Sequence, residues 1–412
     1  MAVADVTDWI ADFGKPGYVW YAKRLSGNDT LATHSHQAGP YIPKDFLFRM
    51  FPSVRKPEEE NPDQRFELYI DSHSDHRTVR AVWYNNKMRG GTRNECRLTG
   101  FGGGQSALLD PESTGALAVF AFVLDDEGAA TECHTWVCRD EVEEDVFEDR
   151  LGPVEPKEFR IWEPGSLPPG DLFDEATPET RASCWLQAKE IPPSWLVKFP
   201  KGEDVIRKAI ELRPLKEISI DVRLMRRRDC EYEVFRSIEE AFFLPRIQQG
   251  FNAIEPFLGL AQSILQSRKS RSGNSLEFHV REIFLEEGLK AGEHFTHKPV
   301  IEVSKRPDFL FPSKAAYDDK SFPDANLRML AAKTTCKDRW RQIINEADRI
   351  RLKHLITLQE GVSEAQFREM QEAGVQLIVP KDVQDSYPKE VKPHLLTFES
   401  FLADLRLLNL QP

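Results

Sequence analysis

The spacing of apolar positions divides the chain into two textures. Up to about residue 150, short β-branched and aromatic runs alternate with turn signals. Examples are Tyr18-Val19-Trp20-Tyr21-Ala22, Phe66-Glu67-Leu68-Tyr69-Ile70, Val79-Arg80-Ala81-Val82-Trp83-Tyr84 and the small and apolar run 115–124. Gly27-Asn28-Asp29, Gly90-Gly91 and Gly102-Gly103-Gly104 punctuate them. Branched and aromatic side chains favour pleated backbone, and glycine and asparagine admit the turns between strands. A barrel or curved sheet with few helices is predicted.

From about 150 to 200 periodicity fails. Pro153, Pro156, Pro164, Pro168, Pro169, Pro178, Pro192 and Pro193 interrupt it, and a connector is expected over 165–182. Beyond it the apolar period lengthens. Helices are predicted over 238–249, 253–265 and 275–284, the last with Leu276, Val280, Ile283 and Phe284 on one face, Ser275 as its cap and Gly288 at its end. Strands follow at 307–311 and 327–335. A helix over 338–351 then carries Trp340, Ile343, Ile344, Ala347 and Ile350 on its inner face. A strand at 354–358, a helix at 363–373 closed by Gly374, and a strand at 375–379 complete the pattern. The order predicts a mixed sheet flanked by helices. The expected domains are 1–164, mostly β, and 183–412, α/β, joined by 165–182.

Length supports two cores, since 412 residues exceed what one ordinary core takes up. No apolar stretch reaches bilayer-spanning length, and the first residues lack a basic region followed by an apolar one, so neither a membrane partner nor a secretory signal is predicted. Six scattered cysteines do not resemble a disulfide framework, which points to a reducing cytoplasm. Cys133, His134 and Cys138 have no second ligand pair at zinc spacing and read as strand residues.

The net charge of −12 argues against a nucleic-acid partner only on average. Bases cluster at Arg77, Arg80, Lys87, Arg89, Arg93 and Arg97, at Arg268-Lys269-Ser270-Arg271, and at Lys333, Lys337, Arg339 and Arg341. Acid gathers in 125–149, with Glu141, Glu143, Glu144 and Asp145 together. Local patches attract phosphate whatever the total.

Hydrolysis of a phosphodiester in line needs a metal held by carboxylates and a cation near the phosphate. Asp308 on one strand and Lys333 on the next suit that chemistry. The usual nuclease spacing is Pro-Asp, a spacer, an acid, any residue, and Lys. Pro307-Asp308 and Lys333 fit, but Ala331 stands where the acid belongs. A second carboxylate must come from elsewhere; Glu346 on the following helix and Glu277 on an earlier one are candidates. Alone, a Pro-Asp with a later lysine is a weak signal, equally met by a strand-end aspartate and an edge lysine.

The surrounding residues add to it. Arg306-Pro307-Asp308-Phe309-Leu310-Phe311-Pro312-Ser313 and Leu330-Ala331-Ala332-Lys333-Thr334-Thr335-Cys336-Lys337-Asp338-Arg339-Trp340-Arg341-Gln342 closely resemble the EcoRII type of restriction endonuclease. The likeness extends through 343–348, 358–363 and 270–277, and in the first half through 23–26, 28–30, 36–37, 41–43, 92–95 and 110–112. It implies a Pro-Asp…Lys nuclease fold, PD-(D/E)XK, of the branch whose second acid lies on the downstream helix. It also implies magnesium held by Asp308 and Glu346, Lys333 serving water and phosphate, and Lys337 and Glu277 assisting. Double-stranded DNA with the sequence 5′-CCWGG, cut before the first C, is the implied target. Arg268, Lys269 and Arg271 match the family's base-reading region, where arginine reads guanine. Arg226 to Arg228, with Tyr317, are expected beside an extruded base.

The first half is expected to be an effector domain, a DNA-binding pseudobarrel that binds a separate copy of the target. Lys23, His36, Tyr41, Arg93, Asn94, Glu95 and Arg97 match its contact region, and Glu95 suits a cytosine amino group. The resemblance further implies that this domain covers the catalytic cleft until DNA binds it. Separately, the acidic run 141–149 is expected to present charge to the groove. A two-fold homodimer suits palindromic cutting. A cognate DNA methyltransferase is the functional, not the binding, partner. Two other classes compete: a sequence-specific DNA-binding regulator with an inactive nuclease domain, and a repair nuclease of the same fold. The intact Asp308, Lys333 and Glu346 set disfavours the first, and two DNA-reading halves disfavour the second.

Overall fold

The computed structural model describes residues 2–33, 39–91, 94–102, 105–164, 184–302 and 305–409. The expected connector 165–182, His36 and Arg93 lie outside the described residues. Two compact units divide the chain. Among the described residues, the first comprises those up to Pro164 with 359–369 and 383–393; the second comprises 184–358, 370–382 and 394 onward.

In the first unit, helix α1 (Ala2–Phe13) precedes strand β1 (Tyr18–Arg24), helix α2 (Lys44–Met50), and strands β2 (Asp63–Ile70), β3 (Asp75–Tyr84), β4 (Glu95–Thr99), β5 (Leu117–Leu124) and β6 (Ala130–Val137). Helix α3 (Glu141–Leu151) and strand β7 (Phe159–Trp162) follow. The strands form one sheet in the order β4-β3-β2-β6-β5-β1-β7, with β2 and β6 parallel. The apolar run in β5 has a simple cause: its two faces enter two cores. Ala118, Phe120 and Phe122 pack with α2, while Leu117, Val119 and Ala121 pack with α1 and α3. A strand buried on both sides loses the alternation of a half-exposed one.

The acidic run is not a free charged surface. On α3, Glu144 and Glu148 pair with the buried Arg24 at 2.8 Å each, and Glu143 takes Arg139 and the Trp136 indole. These three carboxylates stabilise the fold instead of presenting charge to a groove. The later segments join this unit by main-chain and side-chain hydrogen bonds: Gly27 N–H donates to the Glu360 carbonyl at 2.6 Å, and the Ser363 hydroxyl donates to the Glu112 carboxylate. Gly115, at φ 87°, lies so close to the Gln359 amide that a Cβ would meet it at 2.5 Å.

In the second unit, helices α4 (Pro193–Val197), α5 (Gly202–Leu212), α6 (Ile220–Gln248) and α7 (Ile254–Glu286) precede strands β8 (Thr296–His297) and β9 (Phe309–Phe311). Then come α8 (Lys314–Asp318), β10 (Arg328–Ala332), α9 (Trp340–Ile343), β11 (Lys353–Ile356), α10 (Glu364–Glu372, shared between the units), β12 (Val375–Ile378) and α11 (Phe398–Asn409). The sheet order is β12-β11-β10-β9-β8, parallel from β10 to β12 and antiparallel from β8 to β10. This is the mixed sheet that the pattern predicted. Ile220 and Leu224 of α6, the Leu276-to-Phe284 face of α7 and Phe398, Phe401 and Leu402 of α11 pack on it.

Three expectations need correction. The helices expected at 253–265 and 275–284 are one helix, α7. Ser275 is therefore no cap; it lies inside α7 and donates to Glu231 Oε2 at 2.9 Å. The helix expected over 338–351 stops after Ile343, and Ala347 takes a left-handed φ of 51°. Finally, Cys184 and Cys230 form a disulfide across 46 residues. Cys184 packs with Cys230 of α6 in a core that also holds Val205, Val234 and Phe235, so tertiary packing, not local spacing, joins them.

Candidate active site

Sheet register sets the geometry. Asp308 immediately precedes β9, and Lys333 immediately follows β10. These two strands are antiparallel neighbours, with Leu330 opposite Phe309. Asp308 Oδ2 accepts the Ala332 N–H at 2.8 Å and lies 3.5 Å from Lys333 Nζ. The Lys333 main chain is itself held, its N–H donating to the Ile356 carbonyl of β11 at 3.0 Å. Burial pushes the Asp308 carboxyl above its usual range, with Lys333 and the Ala332 N–H opposing.

Glu346 joins this pair from the turns after α9. Burial first, then the charge of Asp308, pushes its carboxyl up to about 7, against the pull of Lys333 and Lys353. Two carboxyls raised by partial desolvation, one of them also by the other's charge, suit a hard divalent ion with oxygen ligands. Among the described residues no three of His, Cys, Asp and Glu form a ready-made metal cage. Magnesium, which keeps several waters and needs few carboxylates, fits such a set.

What holds Glu346 there was not signalled by the sequence. Lys353, at the start of β11, is 4% exposed. Its ammonium donates to the main-chain carbonyls of Glu346 at 2.5 Å, Ala347 at 2.7 Å and Ile350. A buried ammonium has three protons to place, and these three carbonyls lie in the turns that follow the early end of α9. Glu277, on α7, also enters the site's electrostatics. Its Oε1 is 3.0 Å from Lys298 Nζ and hydrogen-bonds His297, and its charge acts on Asp308.

The remaining candidates fall into several settings. Arg268 grips Glu239 through two hydrogen bonds of 2.7 and 2.8 Å; Arg271 is buried, 3.2 Å from Glu231 and over the Tyr232 ring; Lys269 is exposed. All three lie within α7. On α6, Arg226 is exposed, and Arg228 is buried beside Ser275 at 3.4 Å. Tyr317 is buried, its hydroxyl donating to Glu302 and its ring beneath Arg349. Lys337 lies between β10 and α9. In the first unit, Lys23 is bound to Asp29 at 2.6 Å. Arg97 binds Glu95 at 2.9 Å and the Gly39 carbonyl at 2.7 Å. Tyr41 is exposed with its N–H on Asp29, and Asn94 is exposed and accepts the Lys87 N–H.

Comparison with known proteins agrees along the whole chain. A family model described as "Restriction endonuclease EcoRII, N-terminal" matches residues 14–166, and one described as "EcoRII C terminal" matches 235–402. The type II restriction enzyme EcoRII of Escherichia coli is 42% identical over 401 residues, 97% of this chain and 96% of its own. The type II restriction enzyme SsoII of Shigella sonnei is 28% identical over 151 residues, 35% of this chain and 48% of its own. Among solved structures, metal-depleted Ecl18kI in complex with uncleaved, modified DNA aligns with a TM-score of 0.43 at 21% identity, covering 52% of this chain and 82% of that one. With both of its halves matched in order, the chain belongs to the EcoRII family of type II restriction endonucleases, which are site-specific deoxyribonucleases.

Proposed function

We propose that this chain cuts double-stranded DNA at 5′-CCWGG, before the first C, with magnesium held by Asp308 and Glu346. The observation that carries the reading is the meeting of Asp308, Lys333 and Glu346 at one end of the β9–β10 pair, with both carboxylates raised and one lysine 3.5 Å away. Asp308 and Glu346 would hold the ion, which when bound would supply Lewis acidity to the phosphate and to the attacking water. Lys333 stabilises charge developing on the phosphate, and Lys353 keeps Glu346 facing Asp308. Arg268, Lys269 and Arg271 read the outer base pairs, exchanging carboxylate partners for guanine edges where they have them. Digestion of a sequenced plasmid, with and without magnesium, followed by mapping of the ends, tests this. Cuts at unrelated sequences, or no dependence on a divalent ion, would sink it.

The working form is a homodimer. The first half of α7 supports this: Ile254, Phe257 and Leu258 are 70%, 48% and 49% exposed, too apolar a stripe for a helix that meets only water. Sedimentation of wild type against Phe257→Asp checks it, with a monomeric variant expected.

The first unit acts as an effector domain. It binds a second copy of the target through Tyr41, Asn94, Glu95 and their neighbours, and it restrains cutting until it does so. The membership of 359–369 and 383–393 in that unit supports the restraint, because these segments flank catalytic-half strands in the chain. A short uncut duplex carrying the target should therefore speed cleavage of one-site plasmid by the whole protein. A rate indifferent to added duplex would remove the effector role.

A further inference from the structure

The carboxylates of the site are partnered unequally. Asp308 has one ammonium, Lys333 Nζ, at 3.5 Å. Glu277, at 5% exposed, is held more closely, by two side chains on one oxygen. Burial works against its charge, and His297 and Lys298 more than offset that burial, holding the carboxyl below its usual range. The Lys298 ammonium and the His297 ring share the same oxygen, Oε1.

Lys298 is built into this place from its backbone outward. It follows β8, whose register with β9 pairs His297 with Phe309 and so sets Lys298 beside Asp308. Its N–H donates to the Asp308 carbonyl at 2.9 Å. Its φ is 48°, a left-handed conformation that a residue with a Cβ adopts only where its surroundings impose it. Its side chain runs over the Phe278 ring, with the ammonium 5.9 Å from the ring centroid. The same residue thus touches the main chain of one active-site carboxylate and the side chain of another. It also acts electrostatically on the carboxyl of Asp308.

We propose that Lys298 stands where a second divalent cation would otherwise be needed, so that each active site takes one metal ion, at Asp308 and Glu346. Glu277 remains with Lys298 and His297 throughout. This rests on the reading of Asp308 and Glu346 as the magnesium ligands. The physical reason is charge balance. A carboxylate attracts a dication when its own surroundings compensate it only in part, as Lys333 at 3.5 Å does for Asp308. One already held by an ammonium and an imidazole does not. Removing the ammonium leaves a buried carboxylate next to Asp308, and a second cation then has a reason to bind.

The test counts ions. Full-length protein with a target duplex is titrated with Mn2+, read by electron paramagnetic resonance, and with Ca2+, read by calorimetry. Wild type is expected to bind one ion per chain. Lys298→Met is expected to bind a second, or to hold the first about three- to tenfold more tightly, because a like charge has left its neighbourhood. Lys298→Arg should keep the wild-type count. Two ions per chain in wild type would overturn the proposal, whether or not the variants fold. So would a folded Lys298→Met with an unchanged count and affinity. Asp308→Asn separates the two layers of inference. If it retains the ion, the magnesium assignment itself fails; if it loses the ion, the count in wild type and Lys298→Met judges Lys298 alone.

Discussion

The charged clusters of the two units differ in balance. In the first unit, Lys23 meets Asp29 at 2.6 Å, Arg97 meets Glu95 at 2.9 Å, and Arg24 meets Glu144 and Glu148 at 2.8 Å. Burial would raise the Asp29 carboxyl, but Lys23 and the Ser26 and Tyr41 N–H groups bring it below its usual range. Each of these charges is answered by a neighbour, and the product is a fixed shape. In the second unit, the Glu346 carboxyl feels the charge of Asp308, Lys333 lies 3.5 Å from Asp308, and both carboxyls are raised. Answered charges specify geometry, as recognition requires, whereas unanswered ones mark where an ion and a phosphate complete the site. The same contrast revises the basic run 77–97. Arg77 pairs with Asp75, Arg80 with Asp63 and Arg97 with Glu95, so much of what reads as bare positive sequence is matched across strands or along them.

The sharpest way to break the comparison is to change the unbalanced site. Lys333→Ala should lower cleavage roughly a thousandfold or more, because its charge matters most in the transition state. Specific binding, measured by gel shift in Ca2+, should persist. Cutting near the wild-type rate would take Lys333 out of the chemistry. Next in size is Lys353→Met, which leaves the carbonyls of Glu346, Ala347 and Ile350 without their ammonium. Stability should fall by about 1–3 kcal/mol in urea melts, and single-turnover cleavage by roughly a hundredfold. Equal loss of binding and cleavage would mean general damage instead of a displaced Glu346.

Those two lysines also show what the sequence makes legible. Lys333 stands in a spacing that chemistry dictates, and its strand is a plain apolar run. Lys353 works through main-chain carbonyls, which leave no trace in residue identity. The apolar face Trp340, Ile343, Ala347, Ile350 promised a helix, and all four side chains are buried, yet the backbone turns at Ala347. A pattern of burial does not by itself distinguish a helix from successive turns. The opposite error occurred in α6 and α7. No helix was expected over 220–237 or 266–274, yet Arg226-Arg227-Arg228 and Ser270 to Ser275 lie on continuous helices. Arg227 bonds Glu286 at 2.8 Å and the Arg213 carbonyl at 2.9 Å, so the helix continues through them. Glu346 was one of two candidates from its place on the expected helix, with family resemblance choosing between them, and Lys298 stands in no motif at all.

Recognition is the intermediate case, since Arg268 is answered by Glu239 but lies outside the buried core of the unit. If it reads a base edge, Arg268→Ala should cost about 1–3 kcal/mol of binding to the target and much less on random duplex. Arg80→Ala, on the strand-paired side of the comparison, should alter neither by more than about 0.5 kcal/mol, its exposed pair with Asp63 contributing little. Equal losses on target and random duplex for Arg268→Ala would make it a phosphate contact.

A last effect is expected in the pH dependence of metal binding, and it addresses the imbalance directly. In the metal-free protein the Glu346 carboxyl is pushed up to about 7, first by burial and then by Asp308. A carboxyl raised in the folded state favours folding at low pH, and that contribution is lost as pH rises through its folded value. The ligand, by contrast, is the ionised form, so metal and proton compete for it. Affinity for Mg2+ should therefore climb about tenfold per pH unit below about 7 and level off above it. Over the same interval, metal-free protein should melt progressively lower relative to Glu346→Gln, in which no proton is lost. Adding Mg2+ should reverse the trend by taking up the charge. Calorimetric titrations between about pH 5.5 and 8, paired with thermal melts of both proteins, read the two slopes independently. If wild-type affinity is flat across that range and Glu346→Gln binds Mg2+ equally well, then Glu346 is a buried acid with no part in holding the metal. The second carboxylate would then have to come from another residue of the site.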